Sequence, residues 1–484
     1  MLVHELLSFG NPDRLAVCDQ GRSYTYRELR DLVRRCRNAL YVQGVRQQTT
    51  VALFSRKTVH YIVAYLAIAS LGAIAVPVNS QLSQREVGYI LRDSGTRLLL
   101  TGRSFDWKAQ PATADLDGKI LQLPMDGYLQ EEVPEAPALP PSFTDREPFV
   151  IIYTSGTTGA PKGALLSHGN VTCNARQVQD MLHITAEDRV LGVLPLYHCF
   201  CLITALMNPL LAGASIFLYD SVNLKDIVHF IRQQRLTVLY LVPSLCSLLI
   251  RRGSPEDLAD VRYTILGGTA MPLSVLEAFE AKYHQPIIEG YGLSEASPVV
   301  SVNPPERVKK GSIGLPLPGI QVKIANPDGR PVPQGGQGEL LVKGDNVMLG
   351  YWHRPEATAA TIVDGWLHTG DIAREDRDGY LQIVDRLKKM IISMGENIYP
   401  REIEELVYAY PGIEEAAVIG IPDKLRGQTG CCCYTVREGE TVDPKALKKY
   451  LQQNLAIYKV PRVFRQLETM LHLATGKIAK KELR

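Results

Sequence analysis

The sequence predicts an α/β protein with largely parallel, helix-flanked sheets, an attached β subdomain and a small C-terminal α+β domain. Three observations predict it. Short apolar runs alternate with helix-period stretches through the first part of the chain, the rhythm of strand–helix–strand units. Past about residue 310 such runs flank turn signals, as antiparallel strands do. From Lys388 onward a helix pattern and two strand patterns form a unit of their own, so the predicted domains are residues 1–387 and 388–484.

Composition narrows the class. With 484 residues, 45% of them hydrophobic and 21% charged, the chain is long and apolar enough to bury a large core. That excludes a disulfide-stapled mini-protein and a disordered chain. The 53 Lys+Arg against 51 Asp+Glu give a net charge of +2, which disfavours a nucleic-acid binder, because neutralising phosphates needs a clear basic excess. Nine cysteines without framework spacing read as reduced thiols in a cytoplasmic protein. The N-terminus lacks a basic segment followed by an apolar core, so no secretory signal is predicted.

Taken in order, Thr25-Tyr-Arg-Glu28 has capping-box spacing, and Leu29, Leu32, Val33, Cys36 and Leu40 fall on one face of the helix it opens. Val51–Phe54 reads as a buried strand. Between Lys57 and Arg85 there is no Asp, Glu, Lys or Arg, which raises the question of a membrane span. Gly72 fits a helix C-terminus and Ala73–Val78 a following strand, so a buried helix and strand are predicted instead. Further strands are expected at Arg97–Leu100, Phe149–Tyr153, Val190–Leu194, Ser215–Tyr219, Val238–Val242 and Arg262–Leu266, with Pro134–Pro148 a surface loop. Gln321–Ile324, the turn Asn326-Pro-Asp-Gly329 and Gly338–Val342 predict the antiparallel part. In the C-terminal unit Pro400 starts a helix with Ile403, Leu406, Val407 and Tyr410 on one face. Ala417–Ile421 and Cys431–Val436 are partner strands, which makes Cys431, Cys432 and Cys433 core residues instead of a metal or redox site.

The most informative segment is Tyr153-Thr-Ser-Gly-Thr-Thr-Gly-Ala-Pro-Lys-Gly163, placed directly after an apolar strand. The hydroxyls of Thr154, Ser155, Thr157 and Thr158, the glycines including Gly156, and Lys162 can wrap a polyphosphate with side-chain and backbone donors. It is not a Walker A loop, because Lys162 is followed by Gly163 instead of Ser or Thr.

This loop resembles the signature of the adenylate-forming superfamily of acyl-CoA synthetases, luciferase-like enzymes and peptide-synthetase adenylation domains. Later motifs follow in the family's order over nearly the whole chain: Gly290-Tyr-Gly-Leu-Ser-Glu295, His368-Thr-Gly-Asp371, Asp385-Arg-Leu-Lys388 and Thr475-Gly-Lys477-Ile. The resemblance implies two mainly parallel sheets in the large domain, ATP, Mg2+ and coenzyme A as cofactors, and a C-terminal domain that rotates about Lys388. It further implies binding roles for Gly268, Thr269, Gly290, Tyr291, Gly292, Asp371, Arg386, Gly395, Glu396 and Lys459 beside the phosphate loop.

Each motif also has a plain chemical reading. Tyr291 offers a face for adenine, or is an ordinary core tyrosine. Glu295 is an oxygen ligand suited to Mg2+, with Thr158 as the second metal residue. Asp371 can accept from both ribose hydroxyls; Arg386 donates to the same ribose or pairs with Asp385 or Asp376. Ser294 stands where the family usually has threonine, and Met394 replaces a glycine before Gly395. Lys477 is the residue expected to carry the chemistry. A carboxylate attacking the α-phosphate gathers negative charge that a point cation neutralises.

The implied reaction forms an acyl-adenylate and then a thioester. The segment Cys199–Thr204 after Pro195-Leu-Tyr-His198 contains no acidic residue to pair an amino acid's ammonium, which points to an apolar acid, expected to be a medium- or long-chain fatty acid. His198 either orients the acyl group or packs. Coenzyme A and an acyl carrier protein both fit as acceptor, an aryl-acid CoA ligase is the other alternative, and a homodimer and a peripheral membrane contact stay open.

Overall fold

The computed structural model describes residues 1–129, 133–154, 161–220, 226–268, 271–387, 390–393, 396–423, 427–455, 457–473 and 477–483, the side chains of Ile392, Glu396 and Asn397 excepted. Two helix-flanked sheets dominate the first 387 residues. In the larger sheet the parallel strands run in the order Ile287–Gly292, Tyr263–Leu266, Val238–Leu241, Arg189–Gly192, Ser215–Leu218, Leu15–Asp19, and antiparallel strands complete both edges. In the seven-stranded sheet Thr50–Phe54 lies between Ile74–Pro77 and Leu98–Thr101, all parallel, and Pro148–Thr154 turns back into the antiparallel strand Lys162–Ser167. Central strands such as Thr50–Phe54 and Val238–Leu241 are buried at every position. That is why they read as continuous apolar runs without alternation: helices cover both faces.

Local chemistry sets the helix ends. Thr25 accepts the Glu28 N–H and Glu28 reaches back to the Thr25 N–H at 2.7 Å, so the predicted capping box starts helix Tyr26–Val42, an arrangement worth about 1 kcal/mol. The uncharged stretch after Lys57 is helix Val59–Ser70, with all but His60 buried between layers, and Gly72 takes the left-handed φ of +65° before strand Ile74–Pro77. Among the described residues no helix is long and apolar enough to cross a membrane.

The antiparallel part is a five-stranded sheet in which Gln337–Lys343 lies between Gln321–Ala325 and Trp366–Glu375, with Leu381–Arg386 added beside the last. From Ile391 a separate sheet is built around the long pair Ile413–Asp423 and Gly427–Val436. Its apolar clusters contain no residue before Ile391. Cys432 packs with Ile403, Val407 and Leu447, whereas Cys431 and Cys433 face Ala417, Ile419 and Met470 on the opposite side. The thiols therefore fill two apolar layers, as strand alternation requires. Residues 388–389, at the expected boundary, lie outside the described residues.

Contacts between the two units place a buried carboxylate at their junction. Glu289, 6% exposed, accepts the Gly311 N–H at 3.2 Å and lies near Arg401 and Glu405 of helix Pro400–Ala409. Burial pushes its carboxyl up to about 7, with Arg401 opposing the shift. A carboxyl whose folded pKa is raised binds a proton that the unfolded chain has released between about pH 4.5 and 7, so it favours the fold below that window and opposes it above. Glu289→Gln should therefore be more stable than the parent at pH 8, by up to roughly 3 kcal/mol, with the gap closing toward pH 5. A gap that does not change with pH in thermal unfolding would contradict the buried, protonated carboxyl.

Candidate active site

The antiparallel pairing of Trp366–Glu375 with Leu381–Arg386 sets Asp371 opposite Arg386. Arg386 Nε donates to Asp371 Oδ1 at 2.6 Å, and the Tyr291 hydroxyl donates to Oδ2. Asp371 is 2% exposed, so these charge-assisted bonds are what make its burial tolerable. Gly370 before it holds φ at +70°, open to glycine without steric cost, and donates its N–H to Glu339 Oε1 at 2.9 Å. Burial, and then the Asp371 charge, hold the Tyr291 phenol well above its ordinary range.

A second group forms where the phosphate loop closes. Thr154 and Lys162 are register partners across an antiparallel pair, which brings the loop's two ends together. Ser155, Gly156, Thr157 and Thr158 lie outside the described residues. Lys162 Nζ stands 5.2 Å from the centre of the Tyr351 ring, and the Tyr351 hydroxyl donates to Glu295 Oε1 at 2.8 Å. Cation, phenol and carboxylate thus line up although Lys162 and Glu295 are far apart in the chain. Glu295 belongs to the short turn Ser294–Ala296, entered through Gly292, where a Cβ would come within 2.1 Å of the Pro298 carbonyl oxygen. Gly290 is less constrained: its Cβ would sit 3.2 Å from the Ser301 oxygen.

His198 and Lys477 complete the arrangement. His198 Nδ1 accepts the Phe200 N–H at 3.2 Å, which leaves the ring proton on Nε2 when the imidazole is neutral. Burial, aided by the Lys477 charge, pushes that imidazole down to about 4. Lys477 sits in a hairpin closed by Leu473 N–H to Lys477 O at 2.7 Å and by the bridge between His472 and Ile478. Burial and then Arg386 lower its ammonium below the ordinary lysine range, while Cys199 and Asp371 pull the other way. Cys199 Sγ lies 3.1 Å from Ser294 Oγ. One region therefore gathers His198, Cys199, Ser294, Asp371, Arg386 and Lys477.

The remaining sequence-expected residues divide. Gly268 takes φ +87°, and beside it Gly267 leaves room for the Phe200 ring, 2.6 Å from where a Cβ would be. Thr269, Gly395, Thr475, Lys388, Met394 and the side chain of Glu396 lie outside the described residues. Lys459 is held by both carboxylate oxygens of Glu402 at 2.8 Å and is not brought to the Asp371 group. Arg386 pairs with Asp371, not with the alternatives Asp385 or Asp376. Tyr351 and Cys199 were missed, because their partners lie on distant segments and neither carries a local sequence signal.

A cavity of about 710 Å³ opens between the two large sheets, reaching from Pro195–Tyr197, next to His198, to Arg56, Lys57 and Arg103. Lys57 pairs with Asp220 at 3.2 Å, and the buried Tyr61 hydroxyl on the cavity wall has no hydrogen-bond partner among the described residues. No sequence motif had marked this basic chamber. As for a metal, no group of three or more His, Cys, Asp or Glu side chains stands ready among the described residues. A lone carboxylate such as Glu295 fits Mg2+ shared with nucleotide phosphates, not a cage made of protein alone.

This fold, with its buried Asp–Arg–Tyr group and the Lys162–Tyr351–Glu295 array, defines an adenylate-forming enzyme. The AMP-binding enzyme family matches residues 8–352 and the AMP-binding enzyme C-terminal domain matches residues 402–477, and the chain belongs to this family. It is an AMP-forming acid–thiol ligase with ATP, Mg2+ and coenzyme A as cofactors. A feruloyl-CoA synthase of Amycolatopsis is 37% identical over 98% of this chain and 96% of its own length. An indoleacetate–CoA ligase of Aromatoleum aromaticum is 34% identical over 98% and 95%, and the long-chain-fatty-acid–CoA ligase FadD13 of Mycobacterium tuberculosis 33% over 95% and 92%. Among solved structures, o-succinylbenzoate CoA synthetase of Bacillus subtilis with its acyl-adenylate superposes with a TM-score of 0.90 at 31% identity, covering 100% of this chain and 97% of that one.

With its imidazole pushed down to about 4, His198 is neutral and Nε2-protonated throughout pH 5.5–8. Nitrogen-15 NMR of histidine-labelled protein should give constant His198 ring shifts over that range. A titration near the ordinary value of about 6.5 would refute its burial.

Proposed function

We propose that this ligase activates an apolar, ring-bearing carboxylic acid, of aryl or arylalkenoic type, and transfers it to coenzyme A. The observation that carries the reading is the wall beyond His198. Phe200 rests over Gly267 and meets Tyr240 edge-on at 6.0 Å, and the run Cys201–Leu206 is buried and uncharged. Such a wall suits a flat apolar group and offers no partner to an ammonium. The similarity to enzymes of feruloyl and indoleacetate substrates supports the same class. A fatty acid is the second reading, favoured by the uncharged wall and by FadD13 at 33% identity.

In the first half-reaction the substrate carboxylate attacks the α-phosphorus of ATP; an acyl–phosphate bond forms and pyrophosphate leaves. Lys477 bridges the two anions and neutralises the charge that accumulates between them. His198 Nε2–H and the Ser294 hydroxyl orient the carboxylate and the α-phosphate. Asp371, oriented by Tyr291 and Arg386, receives the ribose hydroxyls, while Lys162, with Thr154, Ser155, Gly156, Thr157 and Thr158, holds the outer phosphates. Glu295, with Thr158, would hold Mg2+, which supplies charge neutralisation at the phosphates. The glycines Gly268, Gly290 and Gly292, with Thr269, let the backbone approach the adenosine and acyl groups. In the second half-reaction the thiol sulfur attacks the acyl carbon, the C–O bond breaks and AMP departs. The basic chamber at Arg56, Lys57 and Arg103 suits the phosphates of coenzyme A, with its inner end beside His198. Gly395, Glu396 and Lys459 serve that step after the unit beyond residue 387 turns.

Lys477→Ala should abolish acid-dependent pyrophosphate release yet leave thioester formation from supplied acyl-adenylate intact, because the lysine serves only the first step. Equal loss of both, with the fold preserved by circular dichroism, would remove Lys477 from that role.

Pyrophosphate release measured over cinnamate-, benzoate- and indole-type acids and over aliphatic acids from acetate to palmitate tests the substrate class. We expect ring-bearing acids to exceed every aliphatic acid in kcat/KM. A steady rise along the aliphatic series, by up to ~0.8 kcal/mol per methylene, to a maximum above the ring-bearing acids would establish the fatty-acid reading in its place.

A further inference from the structure

Cys199 follows His198 and opens the turn Cys199–Cys201, whose start is pinned by the Phe200 N–H on His198 Nδ1 and by the Leu202 N–H on His198 O at 3.0 Å. Its Sγ meets Ser294 Oγ at 3.1 Å. The backbone around Ser294 is fixed as well: the Met348 N–H bonds Glu295 O at 2.9 Å and Asn346 Nδ2 bonds Ala296 O at 2.8 Å. With both backbones held, the freedom left at the contact is rotation about χ1 and of the two X–H bonds. A serine hydroxyl can take any of three staggered positions, whereas the added methyl of β-branched threonine restricts which of them are populated. Only some of these aim it at a substrate oxygen, and a buried neighbour at hydrogen-bond distance selects among them. Cys199 is 2% exposed, and burial pushes its thiol up to about 11, so at neutral pH it is an S–H able to donate.

We propose that Cys199 is a positioning residue of the adenylation step: its S–H donates to Ser294 Oγ and holds the rotamer in which the serine proton is given to the substrate. The proposal rests on the reading above that Ser294 contacts the reacting groups. It assigns the thiol no covalent chemistry. The device has a further consequence. Because the S–H occupies one lone pair of the serine oxygen, the hydroxyl proton is left for the ligand, and serine behaves as a directed donor.

The test is a double-mutant cycle on the full-length enzyme. Cys199→Ala should lower kcat for pyrophosphate release about five- to tenfold, change KM for ATP little, and leave thioester formation from supplied acyl-adenylate unaffected. Cys199→Ser, which keeps a short donor, should recover most of the loss. In a Ser294→Thr background, where the β-branched side chain sets its own rotamer, Cys199→Ala should cost less than about twofold. The positioning role is overturned if Cys199→Ala slows both half-reactions alike, or costs as much beside threonine as beside serine. Ser294→Ala separates the two levels of the argument. If it leaves pyrophosphate release unchanged, the reading of Ser294 itself fails; if it is impaired while Cys199→Ala is not, only the role of Cys199 fails.

Discussion

The structure turns on one buried carboxylate. Asp371 is 2% exposed and would be intolerable there as an unpaired charge; Arg386 and the Tyr291 hydroxyl make it acceptable. Tyr291 comes from the last parallel strand of the nine-stranded sheet, and Asp371 and Arg386 from two neighbouring strands of the antiparallel sheet. The Tyr291–Asp371 hydrogen bond therefore ties the β subdomain to the α/β body, while Arg386 on the neighbouring strand balances the charge of the carboxylate, which under the proposed function receives the ribose hydroxyls. Arg386 is two residues before Lys388, so the last rigid anchor of the large unit lies immediately before the expected pivot. Under the proposed reaction, a pivot so placed would let the C-terminal unit turn while Asp371, Arg386 and Tyr291 keep their pairing, since the turn would begin beyond the guanidinium.

Topology explains why the other groups converge. Parallel strands deliver loops at their carboxyl ends, and His198, Gly268 and Tyr291 all follow or end strands of one sheet, whereas Thr154 and Lys162 flank a turn in the other. The basic cavity lies in the crevice between these sheets. Loops that follow the strands thus wall the cavity and carry the polar side chains gathered beside it, while the strands hold those loops in place.

Much of this was legible in the sequence, for reasons that differ by residue. Helix Tyr26–Val42 and strand Thr50–Phe54 carry local signals, a capping box and an unbroken apolar run, and lie where those signals put them. Burial of Val59–Ser70 followed from the Gly72 stop. The pairing of Arg386 with Asp371 was not foreseen, the ribose, Asp385 and Asp376 being the expected partners, because antiparallel register, not local spacing, decides it. Tyr351 and Cys199 escaped altogether: each acts through one hydroxyl or thiol on a partner more than fifty residues away, at Glu295 or Ser294. The basic chamber escaped for the same reason, since Arg56, Lys57 and Arg103 follow two different strands and become a cluster only once those strands pair.

Charge at the centre of the site couples its parts. Lys477 enters a region that already holds the Arg386 cation, and burial together with that repulsion lowers its ammonium's affinity for a proton. Asp371 answers the repulsion only in part, being committed to Arg386. Under the proposed roles, a polyphosphate anion held beside Lys162 would supply the missing negative charge and so stabilise both the protonated lysine and the docked hairpin that carries it. Linkage makes the effect reciprocal: whatever favours docking of the hairpin also tightens the nucleotide.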